Sequence, residues 1–81
     1  MPAESIILSN FPKNLKYLRL SKQPPISQET LAKRLGTSQK CISVYERGEC
    51  LPSVVFALQL ALYTHVSVDD LLCKDLTKKG L

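Results

Sequence analysis

In this chain of 81 residues the side chains able to do covalent or acid–base chemistry are few and scattered. Three cysteines, Cys41, Cys50 and Cys73, form no C-x-x-C pair and have one histidine, His65, to assist them. That set lacks the ligand spacing of a zinc site, and its odd number argues against a disulfide framework. Free cysteine packs as a small hydrophobe, so packing without redox chemistry is expected for all three, with Cys41 on a half-buried side, in a reducing compartment. No G-x-x-x-x-G-K loop is present and no nucleophile stands beside a base, so neither catalysis nor a cofactor is expected. Charge is more informative. Residues 1–48 hold eight Lys and Arg against three Glu, whereas residues 49–81 hold three Lys against four acids. A basic first half favours a polyanion partner, with a merely solvated face as the alternative.

The elements that must position these charges follow from caps, stops and apolar spacing. Asn10 can cap a first helix with Pro12 in its first turn and Phe11, Leu15 and Leu18 as one buried stripe. Lys13, Lys16, Arg19 and Lys22 fall elsewhere on it, and Pro24-Pro25 end it near Lys22. Ser27 caps a second helix, residues 28–35, with Leu31, Ala32 and Leu35 inward and Glu29 favourable to the dipole. Gly36 supplies a left-handed stop. Ser38 caps a third helix, residues 39–47, with Ile42 and Tyr45 inward and Gly48 as the next stop. A fourth helix follows Pro52-Ser53. From residue 54 to 63 only Gln59 is polar, so one buried stripe cannot account for its apolar residues. Ser67 caps a short fifth helix with Asp69 and Asp70 in its first turn and Val68, Leu71 and Leu72 returning to the core.

The chain is long enough for one domain with one modest core, and its 44% hydrophobic fraction is that of a folded soluble protein. No apolar run is long enough to span a membrane, and residues 1–9 carry no basic segment before Ile6-Ile7-Leu8. A cytoplasmic protein without a membrane or secretory segment is expected.

Helix, three-residue turn with glycine, and helix within residues 27–48 make a helix-turn-helix arrangement. The close crossing needs a small residue one turn before Gly36, and Ala32 stands there, with Ile42 placed to fill the space and Leu35 and Tyr45 beside it. An ordinary αα-hairpin of a bundle is the alternative. The sequence resembles the phage repressor and Cro family of regulators, often called the Xre family, over residues 11–72. The residues that carry the resemblance are Leu15-Lys16-Tyr17-Leu18-Arg19, Ser27-Gln28-Glu29-Thr30-Leu31-Ala32, Leu35-Gly36-Thr37-Ser38, Ile42-Ser43-Val44-Tyr45-Glu46-Arg47-Gly48, Pro52-Ser53 and Val66-Ser67-Val68-Asp69-Asp70-Leu71-Leu72.

The resemblance implies an all-α, five-helix repressor-like DNA-binding domain over residues 10–73. Residues 1–9 are left as an N-terminal tail or arm and 74–81 as a flexible basic tail. It implies base contacts from Ser38, Gln39, Lys40, Ser43 and Val44: Gln39 pairing with adenine, Lys40 donating to guanine, Val44 touching a thymine methyl. Gln28 and Arg47 match phosphate-contacting positions, with Lys33 and Arg34 adding diffuse attraction. Arg19 and Glu46 match a pair that ties the first helix to the end of the third. Departures from the family are the longer loop at Gln23-Pro24-Pro25, and Thr64-His65 where glycine is frequent. His65 is therefore expected in a turn or left-handed conformation.

These expectations define a sequence-specific transcriptional regulator, a repressor on a palindromic operator, bound to double-stranded DNA as a homodimer. The leftover apolar surface of the fourth helix, Val55, Leu58 and Leu62, is the candidate dimer interface. Alternatively those residues belong to a larger intramolecular core covered by residues 1–9, or Ile6-Ile7-Leu8 pairs as a strand across the dimer. The rival function is a protein-interaction module, such as an antitoxin-like subunit, that binds a protein partner through the fourth helix.

Overall fold

The computed structural model describes residues 2–78 and contains, among them, five helices and no strand. They are α1 (Ala3–Leu20), α2 (Gln28–Leu35), α3 (Gln39–Glu46), α4 (Val54–Thr64) and α5 (Val68–Cys73). Local chemistry sets most of these boundaries. Ser27, Ser38, Ser53 and Ser67 each adopt an extended N-cap conformation and accept a hydrogen bond from the backbone N–H three residues on. The stops are equally local. After α2, Gly36 (φ 73°) lets Thr37 N–H reach the Ala32 carbonyl, and after α3, Gly48 (φ 73°) lets Glu49 N–H reach that of Val44. His65 performs the same turn after α4 at φ 61°, with Val66 N–H on the Ala61 carbonyl.

The core gathers one face of every helix: Phe11 and Leu15, Leu31, Ala32 and Leu35, Ile42 and Tyr45, Phe56, Leu60 and Ala61, and Leu71. Three aromatic rings meet at its centre. Phe11 is edge-on to both Tyr45 and Phe56, with centroids 6.0 and 6.1 Å away, geometries that set a positive ring edge against a negative face. The Tyr45 hydroxyl emerges from this cluster to accept from Ser53 N–H, so the same side chain fixes the entry into α4.

α1 starts seven residues before the expected cap. Residues 3–9 belong to this helix and form neither a tail nor a strand; Met1 lies outside the described residues. The local signal at Asn10 and Pro12 is that of a helix start, yet tertiary packing overrides it. Ile7 packs against the core, the Asn10 side chain donates to the Ile6 carbonyl, and Pro12 sits inside α1 next to Gly48. The helix also ends at Leu20, short of Lys22. The chain after α5 differs as well. Residues 74–78 are pinned to α1, and 79–81 lie outside the described residues. Leu76 packs on the core, and Lys13 pairs with Asp75 at 3.0 Å. Bonds from Thr77 and then Lys13 hold the Asp75 carboxyl down at about 2. Cys41 is half-buried, as expected, but Cys50 and Cys73 depart from packing in the interior and are exposed.

Asn14, fully buried, is the reason this last segment is ordered. Its amide N–H groups donate to the Leu71 and Lys74 carbonyls at 2.9 and 2.6 Å, and its oxygen accepts from Leu76 N–H at 2.9 Å. One side chain thus supplies partners for backbone groups that α5 cannot satisfy itself. Asn14→Ala should lower stability by about 2–4 kcal/mol, because a buried backbone group left unpaired costs ~1–3 kcal/mol. Asn14→Asp should cost more at neutral pH, since its carboxylate would face two carbonyl oxygens. Urea denaturation orders the three proteins; equal midpoints would show that the tie carries no stability.

Candidate nucleic-acid interface

α2 and α3 are joined by Gly36, Thr37 and Ser38, and they cross where Ala32 and Ile42 are both buried. A larger side chain at Ala32 would separate the helices, so the small residue fixes how far α3 projects. At 100° per residue, Ile42 and Tyr45 define the buried side of α3. Gln39, Lys40, Ser43, Val44 and Arg47 occupy one arc of about 140° on the other side. Gln39 and Lys40 are exposed, Ser43 and Val44 half-buried and Arg47 exposed. Ser38 is spent partly on structure, accepting from Cys41 N–H as the cap. Lys40 makes no ion pair among the described residues, so its ammonium faces solvent uncommitted.

The opposite end of α3 is clamped from three directions. Arg19 Nε and Nη2 donate to the two oxygens of Glu46 at 2.7 and 2.9 Å, and both side chains are more than nine-tenths buried. The remaining guanidinium nitrogen donates to the Ile26 carbonyl at 2.9 Å, and Ile26 N–H returns a bond to the Arg19 carbonyl at 3.3 Å. This reciprocal pair holds the lengthened loop, whose Gln23–Pro24 peptide is cis. Gln28 Nε2 completes the set by donating to Glu46 Oε1 at 3.1 Å. The first residue of α2 and Arg19 of α1 are therefore both locked to the last residue of α3.

The expected phosphate contacts separate on inspection. Gln28 and Arg47 each have a protein partner. Arg47 Nε and Nη2 donate to the Glu49 carboxylate at 2.7 and 3.2 Å, and Nη1 donates to Ser43 Oγ. The hydrogen bonding between Arg47 and Glu49 raises the Arg47 pKa above its ordinary value and lowers that of Glu49, both groups being in water. Lys33 forms only a loose, exposed pair with Glu29 at 4.0 Å. Arg34 is drawn to α4 instead, donating to the Tyr63 hydroxyl at 2.7 Å, while the Lys22 ammonium lies 4.5 Å from the centre of the same ring. Glu49 and Tyr63 were not singled out by the sequence. A charge two residues past Arg47 was a readable signal for the first; nothing local marked the second.

Residues 15–71 match the helix-turn-helix family. The chain belongs to that family, in its Cro- and Xre-like branch. As a family member it is a DNA-binding transcriptional regulator. It is 37% identical over 57 residues to an uncharacterized HTH-type transcriptional regulator of Methanocaldococcus jannaschii, covering 70% of this chain and 83% of the relative. No solved structure matches it significantly. The matched span opens at Leu15 and closes at Leu71, two residues of the shared core, and the first 14 residues lie outside it. No described helix is long and apolar enough to cross a membrane.

The clamp gives this helix-turn-helix protein a measurable dependence. Arg19→Ala should cost about 3–5 kcal/mol, since it leaves the Glu46 charge buried with only an amide beside it. Arg19→Met with Glu46→Met should recover much of that loss, because two apolar side chains need no solvation. A double-mutant cycle by thermal or chemical denaturation reads the coupling, and additive single losses would contradict a buried pair.

Proposed function

We propose that the protein binds a palindromic operator as a homodimer, with α3 of each copy in the major groove, and acts as a repressor. The observation that carries this reading is the contrast on α3 between a rigidly held buried side and an outward arc on which Gln39 and Lys40 are exposed. Ser38, Gln39, Lys40, Ser43 and Val44 are the base-reading set. Gln39 offers the donor and acceptor that match adenine, Lys40 a donor for guanine O6 and N7, and Val44 a methyl surface for thymine. Gln28 sits at the first turn of α2, where the helix dipole favours a phosphate, and its amide has a second hydrogen besides the one on Glu46. Arg47 grips the backbone at the C-terminal end of α3. Lys33 and Arg34 add only diffuse charge. A domain seated on DNA blocks access to it by occupancy alone, which is why repression is the reading.

One α3 of eight residues touches too few base pairs for high selectivity, and a two-fold dimer doubles the contact with recognition helices ~34 Å apart. α4 offers the surface. Val54, Val55, Leu58 and Leu62 are 84%, 65%, 50% and 69% exposed and share one arc, while Phe56, Ala57, Leu60 and Ala61 face the core. Residues 3–9 leave that arc uncovered. An apolar groove of about 340 Å³ between Ile7, Pro52, Leu58 and Leu72 adjoins it. The same strip supports the second reading, a protein-interaction module that docks a partner on α4.

Selection from random duplex DNA should enrich a palindrome, with affinity falling at a log–log slope of about −0.9 per phosphate neutralised. Lys40→Ala should relax preference at one base pair by ~1–3 kcal/mol, whereas Arg47→Ala should weaken all sequences alike. No enriched site and a flat salt profile would reject DNA reading. For the dimer, Leu62→Glu should shift the protein to monomer in sedimentation and weaken operator binding. An unchanged association state would move the interface elsewhere.

A further inference from the structure

We infer that Glu49 is a built-in competitor for the DNA backbone, its carboxylate occupying the edge of the Arg47 guanidinium that would otherwise take a phosphate. The inference rests on the reading of Arg47 as a phosphate contact. An arginine grips an oxyanion through two parallel N–H groups, and a carboxylate and a phosphate present the same spacing of acceptor oxygens to that fork. Here the Nε and Nη2 edge is filled by both Glu49 oxygens, and Nη1 is taken by Ser43 Oγ on the polar arc itself. All three nitrogens of the side chain thus have acceptors within the protein.

The competitor is held in place by the backbone. Gly48 at φ 73° reverses the chain, and Glu49 N–H bonds the Val44 carbonyl at 3.2 Å, so Glu49 stays beside the last turn of α3. Its carboxylate is therefore always at high local concentration next to Arg47. The pair is also about half exposed, 54% and 53%, which keeps it weak enough to open. It acts as a brake on the interaction and not as a lock. Because backbone attraction is indifferent to sequence while Lys40 at the other end of α3 stays uncommitted, the brake lowers the backbone share of binding on every sequence alike. Glu49 thereby leaves less of the affinity to charge alone, and base contacts are needed to hold the domain on its site.

The test titrates wild type, Glu49→Gln, Arg47→Ala and the double variant against a fluorescein-labelled mixed-sequence duplex at low and moderate salt. Circular dichroism confirms the fold, which exposed substitutions should leave intact. Glu49→Gln should tighten binding roughly three- to tenfold at low salt, with the gain shrinking as salt rises. Arg47→Ala should cost more in the Glu49→Gln background than in wild type. Unchanged or weaker binding by Glu49→Gln, while Arg47→Ala still weakens it, would overturn the inference and leave the phosphate reading standing. An equal gain with and without Arg47 would also overturn it, since plain repulsion would then suffice. If Arg47→Ala has no effect in either background, the phosphate reading itself fails and the inference with it.

Discussion

The buried pair between Arg19 and Glu46 is the contact on which the orientation of α3 depends. Removing two charges from water costs several kcal/mol per ion, and the return comes only with close geometry and satisfied hydrogen bonds. Both conditions hold: the contact is bidentate, the third guanidinium nitrogen finds the Ile26 carbonyl, and Gln28 donates to Glu46. An apolar contact in the same place would gain from burial but would leave α3 freer to turn about its axis. Directional bonds to the last residue of α3 fix that rotation, and rotation decides which side chains lie on the outer arc. The pair thus joins stability to register: α1, the loop before α2, the start of α2 and the end of α3 meet at one ion pair.

α3 needs such support because eight residues do not make a stable helix alone; the cost of nucleation exceeds what two turns of hydrogen bonds return. Its N-terminus is held by the Ser38 cap, its middle by Ile42 against Ala32, and its C-terminus by Tyr45, Glu46 and the left-handed turn at Gly48. Every inward position is thereby spent on anchoring. The outward ones are left to chemistry, and only Ser38, Ser43 and Arg47 among them divide their bonding between the two. The aromatic cluster extends the same constraint to α4, since Tyr45 packs on Phe56 and accepts from Ser53 N–H.

What was readable in the sequence was what is determined locally. Serine caps and left-handed stops act within a few residues, so α2 to α4 begin and end, and α5 begins, where Ser27, Gly36, Ser38, Gly48, Ser53, His65 and Ser67 place them. α1 was misread for the converse reason: Asn10 and Pro12 spell a helix start, and only the packing of Ile7 against distant residues extends the helix past it. Nothing local marked Asn14, because its partners are 57 to 62 residues away. The same distance hid Tyr63 as the partner of Arg34. Arg19 and Glu46 are 27 residues apart, and the expectation that they pair came from family resemblance, with no periodicity to reveal it. Exposure of Cys50 and Cys73 was likewise out of reach, since a cysteine's usual burial says nothing about which side of a short helix or loop meets the core.

α4 shows how far a compact domain can go in leaving a surface unspent. Its inward arc is enough to close the core, yet its outward arc is just as apolar, so intramolecular stability does not explain Val54, Val55, Leu58 and Leu62. Burying a fully exposed side chain of this kind contributes about 1.5–3 kcal/mol, and these are only partly exposed. In the proposed homodimer the combined gain would be of the same order as the ~4–15 kcal/mol that association costs in lost freedom. Such a strip supports a weak dimer. Weak association makes the two-headed form scarce at low protein concentration and lets a duplex carrying both half-sites complete the assembly. In that regime the apolar strip and the Arg47–Glu49 pair serve the same end: neither one copy nor backbone charge alone would hold the protein on DNA, and both half-sites must be read together.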